Sequence, residues 1–311
     1  IMKGYLKRSV IFLILGLLIY ATLYCVAELL ISQHTQRNRF YNIKTASSPI
    51  YDYVILGASH ALPFDFKDMN EQLEKFTDSK IINLSTPGGG IVPNQLLLEY
   101  FLAEHNTKNV LYILDSFSFY SSKWNEERIS DVRLFQRAPA DLTLANLLLS
   151  YSFNRGVSLR VAVDYISGFS KINNPNRFEL DISNDELKRF DKIHRPSSRD
   201  KRRIDYLYPA EIDNLVFEKY LAMFTRLIDF MGSQGIALTV IKPPIPEHFY
   251  QMIPNEAGFD ALINDLLARK QIPFHDFSQV NNDPKLFFDS DHLNRKGVVS
   301  FFQNHLKKLL I

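Results

Sequence analysis

The chain has 311 residues, 46% of them apolar and 23% charged. Those proportions suit a folded globular protein and exclude a disordered, collagen-like or multi-span membrane chain. The 36 basic and 34 acidic side chains leave a formal charge of +2, which sets up no field over the whole surface and argues against wholesale nucleic-acid binding. The single cysteine, Cys25, excludes an intramolecular disulfide and a cysteine-based zinc site.

In chain order, the first predicted element is a membrane span. Val10–Ala27 reads VIFLILGLLIYATLYCVA without a charge, and Glu28 then precedes a further apolar stretch, Leu29–Ile31. At about 1.5 Å per residue a helix over 9–31 is long enough for a bilayer core of about 30 Å. It is apolar on all sides, unlike a half-buried soluble helix. Lys3, Lys7 and Arg8 precede it, and Arg37 and Arg39 follow. This bias predicts residues 1–8 in the cytoplasm, a single pass through the cytoplasmic membrane, and an extracytoplasmic remainder, periplasmic or at the cell surface. The rival reading is a cleaved signal peptide. It lacks an A-x-A site, and Tyr24 stands before Cys25 where a lipoprotein signal needs a small residue. Residues 32–49 are polar and read as a stalk.

From residue 50 to 311, five short apolar runs predict strands: Tyr53–Leu56, Lys80–Leu84, Val110–Leu114, Ala237–Ile241 and Ile272–Phe277. The first four are rich in β-branched residues, and near-continuous runs of this kind suit parallel strands buried on both faces. Helical spacing marks Asn94–Glu104 and Glu211–Ser233, the latter followed by Gly235. Asn255–Lys270 and Lys296–Leu310 complete the set. Alternating strand and helix predicts a three-layer α/β/α sandwich on a five-stranded parallel sheet, with right-handed crossovers. The third crossover is too long for one helix. Leu142–Phe169 has a helical pattern, whereas Asn173–Pro209 is polar, basic and weakly periodic, so about 117–209 reads as an insertion beside the sheet.

An open parallel sheet binds ligands at the carboxyl ends of its strands. The residues found there are Gly57-Ala58-Ser59-His60, then Ser85-Thr86-Pro87-Gly88-Gly89-Gly90, Asp115-Ser116, Lys242-Pro243-Pro244 and, after the fifth strand, Asp289-Ser290-Asp291-His292. Ser59 on a tight strand-to-helix turn would expose its Oγ, but a neutral hydroxyl needs a base. His292 is the candidate base. Asp289, three residues earlier, is the candidate that fixes its tautomer, with Asp291 as a substitute. Gly88 or Gly89 could turn an N–H toward an oxyanion, with the Ser59 N–H as a second donor. Asn83 could add a side-chain donor if it faces the site.

These stretches together resemble the SGNH, or GDSL-like, hydrolase superfamily: Gly57-Ala58-Ser59-His60 after the first strand, Asn83 to Gly88 after the second, and a terminal Asp289-x-x-His292. The resemblance is closest to the membrane-anchored acyl-transfer branch, with its DltD-type proteins of teichoic acid D-alanylation and AlgJ/AlgX-like polysaccharide O-acetyltransferases. It covers the sheet elements but not the insertion. It implies a flavodoxin-like SGNH fold, with Ser59 as nucleophile, His292 as base, Asp289 as orienter and Gly88 or a neighbour as oxyanion donor. It further implies an O-acyl group, acetyl or D-alanyl, transferred to cell-envelope glycan through an acyl-serine. No cofactor is implied, and a multi-span membrane O-acyltransferase is the partner. One element departs: the family's third block offers an Asn where this chain has Asp115, and an ionised carboxylate cannot donate. That departure keeps open a non-catalytic glycan-binding or assembly module.

Each signal also has a plain structural reading. Ser59 could be a helix cap. His60, beside it, reads first as structural and second as a substrate contact. A metal site drawn from His60, Asp65, Asp289, Asp291 and His292 lacks tight ligand spacing, so none is expected. Gly88–Gly90 lacks the residues of a nucleotide loop. The basic stretch Lys188–Arg203 reads as a solvated loop, or as a surface for anionic headgroups or polymer.

Overall fold

The structure is a computed structural model that describes residues 2–180, 184–280 and 282–310. The predicted 117–209 insertion includes 181–183, which lie outside the described residues. In chain order the main elements are α1 (Met2–His34), α2 (Arg39–Lys44), β1 (Ile50–Leu56), α3 (Met69–Thr77), β2 (Ile81–Asn83), α4 (Ile91–Glu104), β3 (Asn106–Ile113), α5 (Leu142–Asn154), α6 (Leu159–Ser167), α7 (Phe169–Ile172), α8 (Ser198–Leu207), α9 (Asn214–Ser233), β4 (Ala237–Lys242), α10 (Glu256–Arg269), β5 (Phe274–Asp276) and α11 (Arg295–Phe301). They fall into two compact units. One joins Ile1–Thr45 to Ile129–Ile182, and the other joins Ala46–Arg128 to Ser183–Ile311.

The second unit holds the sheet, five parallel strands in the order β2-β1-β3-β4-β5 with helices on both sides. The predicted α/β fold is thus borne out. Val54 pairs with Ile82 on one side and Val110 on the other, and Val110 pairs in turn with Leu238. Val54, Ile55, Leu56, Leu111 and Ile241 are wholly buried, as parallel strands covered on both faces require. β5 is shorter than its apolar run because Pro273 has no N–H to give the ladder, although its carbonyl still accepts from Val240 at 2.9 Å. The expected last helix begins at Asn294, whose side chain caps the Gly297 N–H, and continues from α11 as a π-helical turn at Phe302–Leu306. In the basic stretch, Ser197 and Asp200 close a capping box that starts α8. Most of its residues are charged, so few apolar positions mark the helix in the sequence. In the order 2-1-3-4-5 successive strands are added first on one side of β1 and then on the other, so the ends of β1 and β3 open the crevice where such sheets place ligands.

The first unit consists of α1, α2 and α5–α7. Among the described residues α1 is the one helix long and apolar enough to cross a bilayer, a property shared by membrane anchors and signal sequences. The segment read as a stalk contains α2, which buries Arg39, Phe40 and Ile43. Phe40 packs on Phe135, with ring centroids 5.0 Å apart. α5 is capped by Asp141, whose carboxylate accepts from the Thr143 and Leu144 N–H groups. α6 ends at Gly168, φ +70°, in the left-handed region that glycine enters without steric cost.

Candidate active site

β1 ends against β3 so closely that only glycine fits the turn. A Cβ at Gly57, whose φ is +149°, would lie 2.8 Å from both the Cβ and the carbonyl oxygen of Ile113. The Gly57 N–H donates to Asn94 Oδ1 at 3.0 Å. Ser59 then opens a 3-10 turn, Ser59–Asp65. Asn83 frames that turn: its Nδ2 donates to Ala61 O at 2.8 Å, and its Oδ1 accepts from the Ser85 N–H and Oγ at 3.0 and 2.6 Å. The amide proposed as an oxyanion donor therefore holds the backbone behind Ser59. The Ser59 hydroxyl is partly exposed and accepts from Arg203 Nη2 at 3.3 Å.

The other half of the site is the loop from Asp289 to His292. The Asp289 carboxylate accepts from the backbone N–H groups of Asp291 and His292 at 3.2 and 2.9 Å, which folds the loop into a tight turn. The same carboxylate meets His292 Nδ1 at 2.8 and 3.0 Å. Nδ1 therefore carries the proton, and Nε2 presents its lone pair. Nε2 is buried and has no hydrogen-bond partner among the described residues. Phe288 stacks on the imidazole at 5.7 Å. Burial pushes the Asp289 carboxyl up, but its contact with His292 outweighs burial and holds the carboxyl below the usual range.

A second histidine–carboxylate pair lies alongside. His60 Nδ1 is 2.5 Å from Asp115 Oδ1, across the ends of β1 and β3. Its Nε2 faces Asp291 Oδ2 at 3.3 Å, close enough for an ion pair but not aligned as a hydrogen bond. Burial alone would lower the His60 pKa; Asp115 and then Asp291 overcome it and raise it to about 10. His60 is thus an imidazolium at neutral pH, and Asp115 is its acceptor. Asp291 is 1% exposed and also accepts from Arg203 Nε at 2.9 Å. Burial works against its charge, yet His292, Arg203 and His60 hold its carboxyl far below the usual range. Arg203 thereby links the two halves: Nε binds Asp291 and Nη2 binds Ser59. The rings of His60 and His292 are 5.1 Å apart.

The glycine run is built for tight packing. Gly88 has φ +63°, and a Cβ there would strike the Trp124 ring at 2.7 Å. The Gly89 N–H donates to Thr86 O at 3.0 Å and the Gly90 N–H to Trp124 O at 2.7 Å. Among the described residues the Gly88 N–H has no such acceptor. Behind the His60–Asp115 pair, a cavity of about 20 Å³ is lined by Ser116, Tyr208, Lys242 and Glu256. It has room for one water molecule, not an acyl chain or sugar. Its charges are internally matched, since Lys242 Nζ meets Glu256 and Asp260, each at 2.6 Å.

The structure thus gathers Ser59, Asp289, His292, His60 and Asp115 at one sheet edge. It commits Asn83 and Gly89 to local hydrogen bonds, and it adds Arg203, which sequence reasoning placed only in a basic stretch. His60, Asp291 and His292 have ligand atoms within 4.8 Å of one another. His60 lies between two carboxylates, with its Nδ1 engaged by Asp115. His194, Asp200 and His248 form a similar group. There Asp200 accepts from His194 Nε2 at 2.9 Å, His248 Nε2 at 3.2 Å and Ser290 Oγ at 2.6 Å.

No protein-family model matches the chain, and no curated protein matches it. Among solved structures it is similar to that of a Bacteroides fragilis protein described as a "putative acylhydrolase". The two share 10% identity and a TM-score of 0.39 over 86% of this chain and 90% of that one. Likeness at that level carries no argument about activity.

Proposed function

We propose that this chain is a serine acyltransferase or esterase held in the cytoplasmic membrane by α1, with its sheet unit outside, acting on O-acyl groups of cell-envelope glycan. The observation that carries the chemistry is the buried, unpartnered Nε2 of His292, opposite an Nδ1 whose proton is shared with Asp289. That tautomer is the one a general base needs. Ser59, released from Arg203, gives its proton to Nε2 while Oγ bonds to the acyl carbon. The resulting imidazolium is stabilised by Asp289, and it returns the proton to the departing alcohol as the tetrahedral intermediate collapses to the acyl-serine. An acceptor hydroxyl then repeats the sequence in reverse; water in its place gives hydrolysis. The Gly88 N–H and the Arg203 guanidinium beside Ser59 Oγ supply positive potential for the oxyanion, a task the paired carboxylate of Asp115 cannot perform.

The glycan acceptor and a multi-span O-acyltransferase partner are supported by the family resemblance. Open space around Gly16 in α1 favours close approach of another helix. The test is fluorophosphonate labelling of the full-length protein in native membranes beside Ser59→Ala and His292→Ala, followed by purification in mild detergent. Labelling lost in both variants supports an activated serine. A folded parent that does not label points instead to a non-catalytic glycan-binding or assembly module, the reading favoured by the hold of Arg203, rather than His292, on Ser59 Oγ. Purification without a multi-span partner removes that part of the proposal.

A further inference from the structure

We propose that α6 and α7 lie in the outer leaflet of the bilayer beside α1, with Val163, Ile166 and Phe169 buried among acyl chains. This rests on the reading of α1 as a retained membrane span.

α6 is apolar on two sides. Val161, Ala162 and Tyr165 are buried within the first unit. On the outer side Val163 and Ile166, three residues apart, are 57% and 52% exposed, and Phe169, which opens α7 just after the left-handed turn at Gly168, is 59% exposed. A helix that has already buried one apolar face gains nothing in water from a second one, and such a face marks a protein or membrane contact.

Contacts within the same unit give this face a depth. Tyr20 OH donates to Ser167 O at 3.0 Å. Gly168 lies so close to Tyr24 that a Cβ there would come within 1.9 Å of its ring. Lys171 Nζ bonds to Glu28 Oε2 at 2.5 Å and to Ala138 O at 2.7 Å, while Glu28 Oε1 accepts from the Ala140 N–H at 2.8 Å. Tyr20, Tyr24 and Glu28 form one stripe of α1, spaced by fours over about 12 Å of helix axis. In a span over 9–31 that stripe runs from the midpoint toward the outer end. A turn resting against Tyr20 and Tyr24 is therefore at acyl-chain depth, and lipid is the solvent that meets its outer side.

The charges agree with that placement. Glu28 interrupts an apolar run, which is costly in hydrocarbon unless the carboxylate is paired. Both of its oxygens are satisfied by the α5–α7 segment and the loop before it, and Lys171 is 3% exposed. The pair docks the hairpin on the span and hides the Lys171 charge, with Glu28 28% exposed.

The test uses the full chain in liposomes of purified phospholipid. A nitroxide is attached to single cysteines made by Val163→Cys, Ile166→Cys or Phe169→Cys in a Cys25→Ser background. Leu13→Cys on α1 and Leu215→Cys on α9 serve as controls. The expected ratio of oxygen to nickel-chelate accessibility at 163, 166 and 169 is about tenfold above that at 215 and close to that at 13, as for a lipid-facing helix. Water-like values at the three sites with a lipid-like value at 13 overturn the proposal while leaving the anchor intact. A water-like value at 13 as well overturns the anchor reading itself. Poor access of both reagents at the three sites, with spin–spin broadening, assigns the face to a second copy of the chain and also overturns the proposal.

Discussion

Replacing Asp289 by asparagine separates the orienting role of this carboxylate from its part in the loop. Asp289 accepts from two backbone N–H groups, at 2.9 and 3.2 Å, and from His292 Nδ1 at 2.8 and 3.0 Å. In Asp289→Asn the amide oxygen can still serve the two backbone donors, so the turn survives. The amide nitrogen takes the place of Oδ2, 3.0 Å from Nδ1, where it brings a competing donor, while the amide oxygen stays 2.8 Å from Nδ1 without the charge that steadies an imidazolium. The competing donor favours the tautomer with its proton on Nε2, where the ring can no longer accept from Ser59, and the lost charge weakens the base in the tautomer that remains. The expected cost is the wrong-tautomer penalty, about 10³–10⁴-fold in rate or about 4–5 kcal/mol in barrier. The assay is the second-order rate constant for fluorophosphonate labelling in native membranes, with the melting temperature of the solubilised protein as a control for folding. A rate within about tenfold of the parent, at unchanged melting temperature, refutes the assignment. Asp291→Asn should slow labelling less, because Asp291 Oδ1 lies 3.2 Å from Nδ1 and its other oxygen serves Arg203 and His60. A reversed ranking makes Asp291 the orienter.

Three more outcomes are expected. The His60 imidazolium stabilises the fold fully below pH 6.5, where folded and unfolded chains both hold the proton. That contribution declines as pH rises from 6.5 to about 10, because the unfolded chain releases its proton first. Denaturant titrations across that window should show the decline in the parent and a flatter profile in His60→Gln. Gly57→Ala should destabilise by about 2–4 kcal/mol, from strain and overpacking together, and abolish Ser59 labelling; an unchanged melting temperature counts against the turn described. Arg203→Met removes one partner of buried Asp291 and should cost about 2–3 kcal/mol, less than a fully buried pair because the guanidinium is partly exposed. Thermal melts of the two proteins in the same detergent measure that loss.

Local pattern carried much of this protein into view before any coordinates. Runs such as Tyr53–Leu56 and Val110–Leu114 are short, apolar and rich in β-branched residues, which suits covered parallel strands. The order of strands and helices then placed Ser59, Asp115 and the Asp289–His292 loop at one sheet edge. The Asp289–His292 contact was legible for the same reason, since three residues of chain bring the two groups together. What each group meets across the chain was not legible. His60 takes Asp115 from 55 residues away, and Ser59 takes Arg203 from 144 residues away. Arg203 looked like one charge among many, and Glu28 like a flaw in an apolar run until Lys171 closed on it. Periodicity records which side of an element is buried, because burial repeats with every turn or every second residue. The partner of a single charge leaves no such repeat, and only packing of the finished fold decides it.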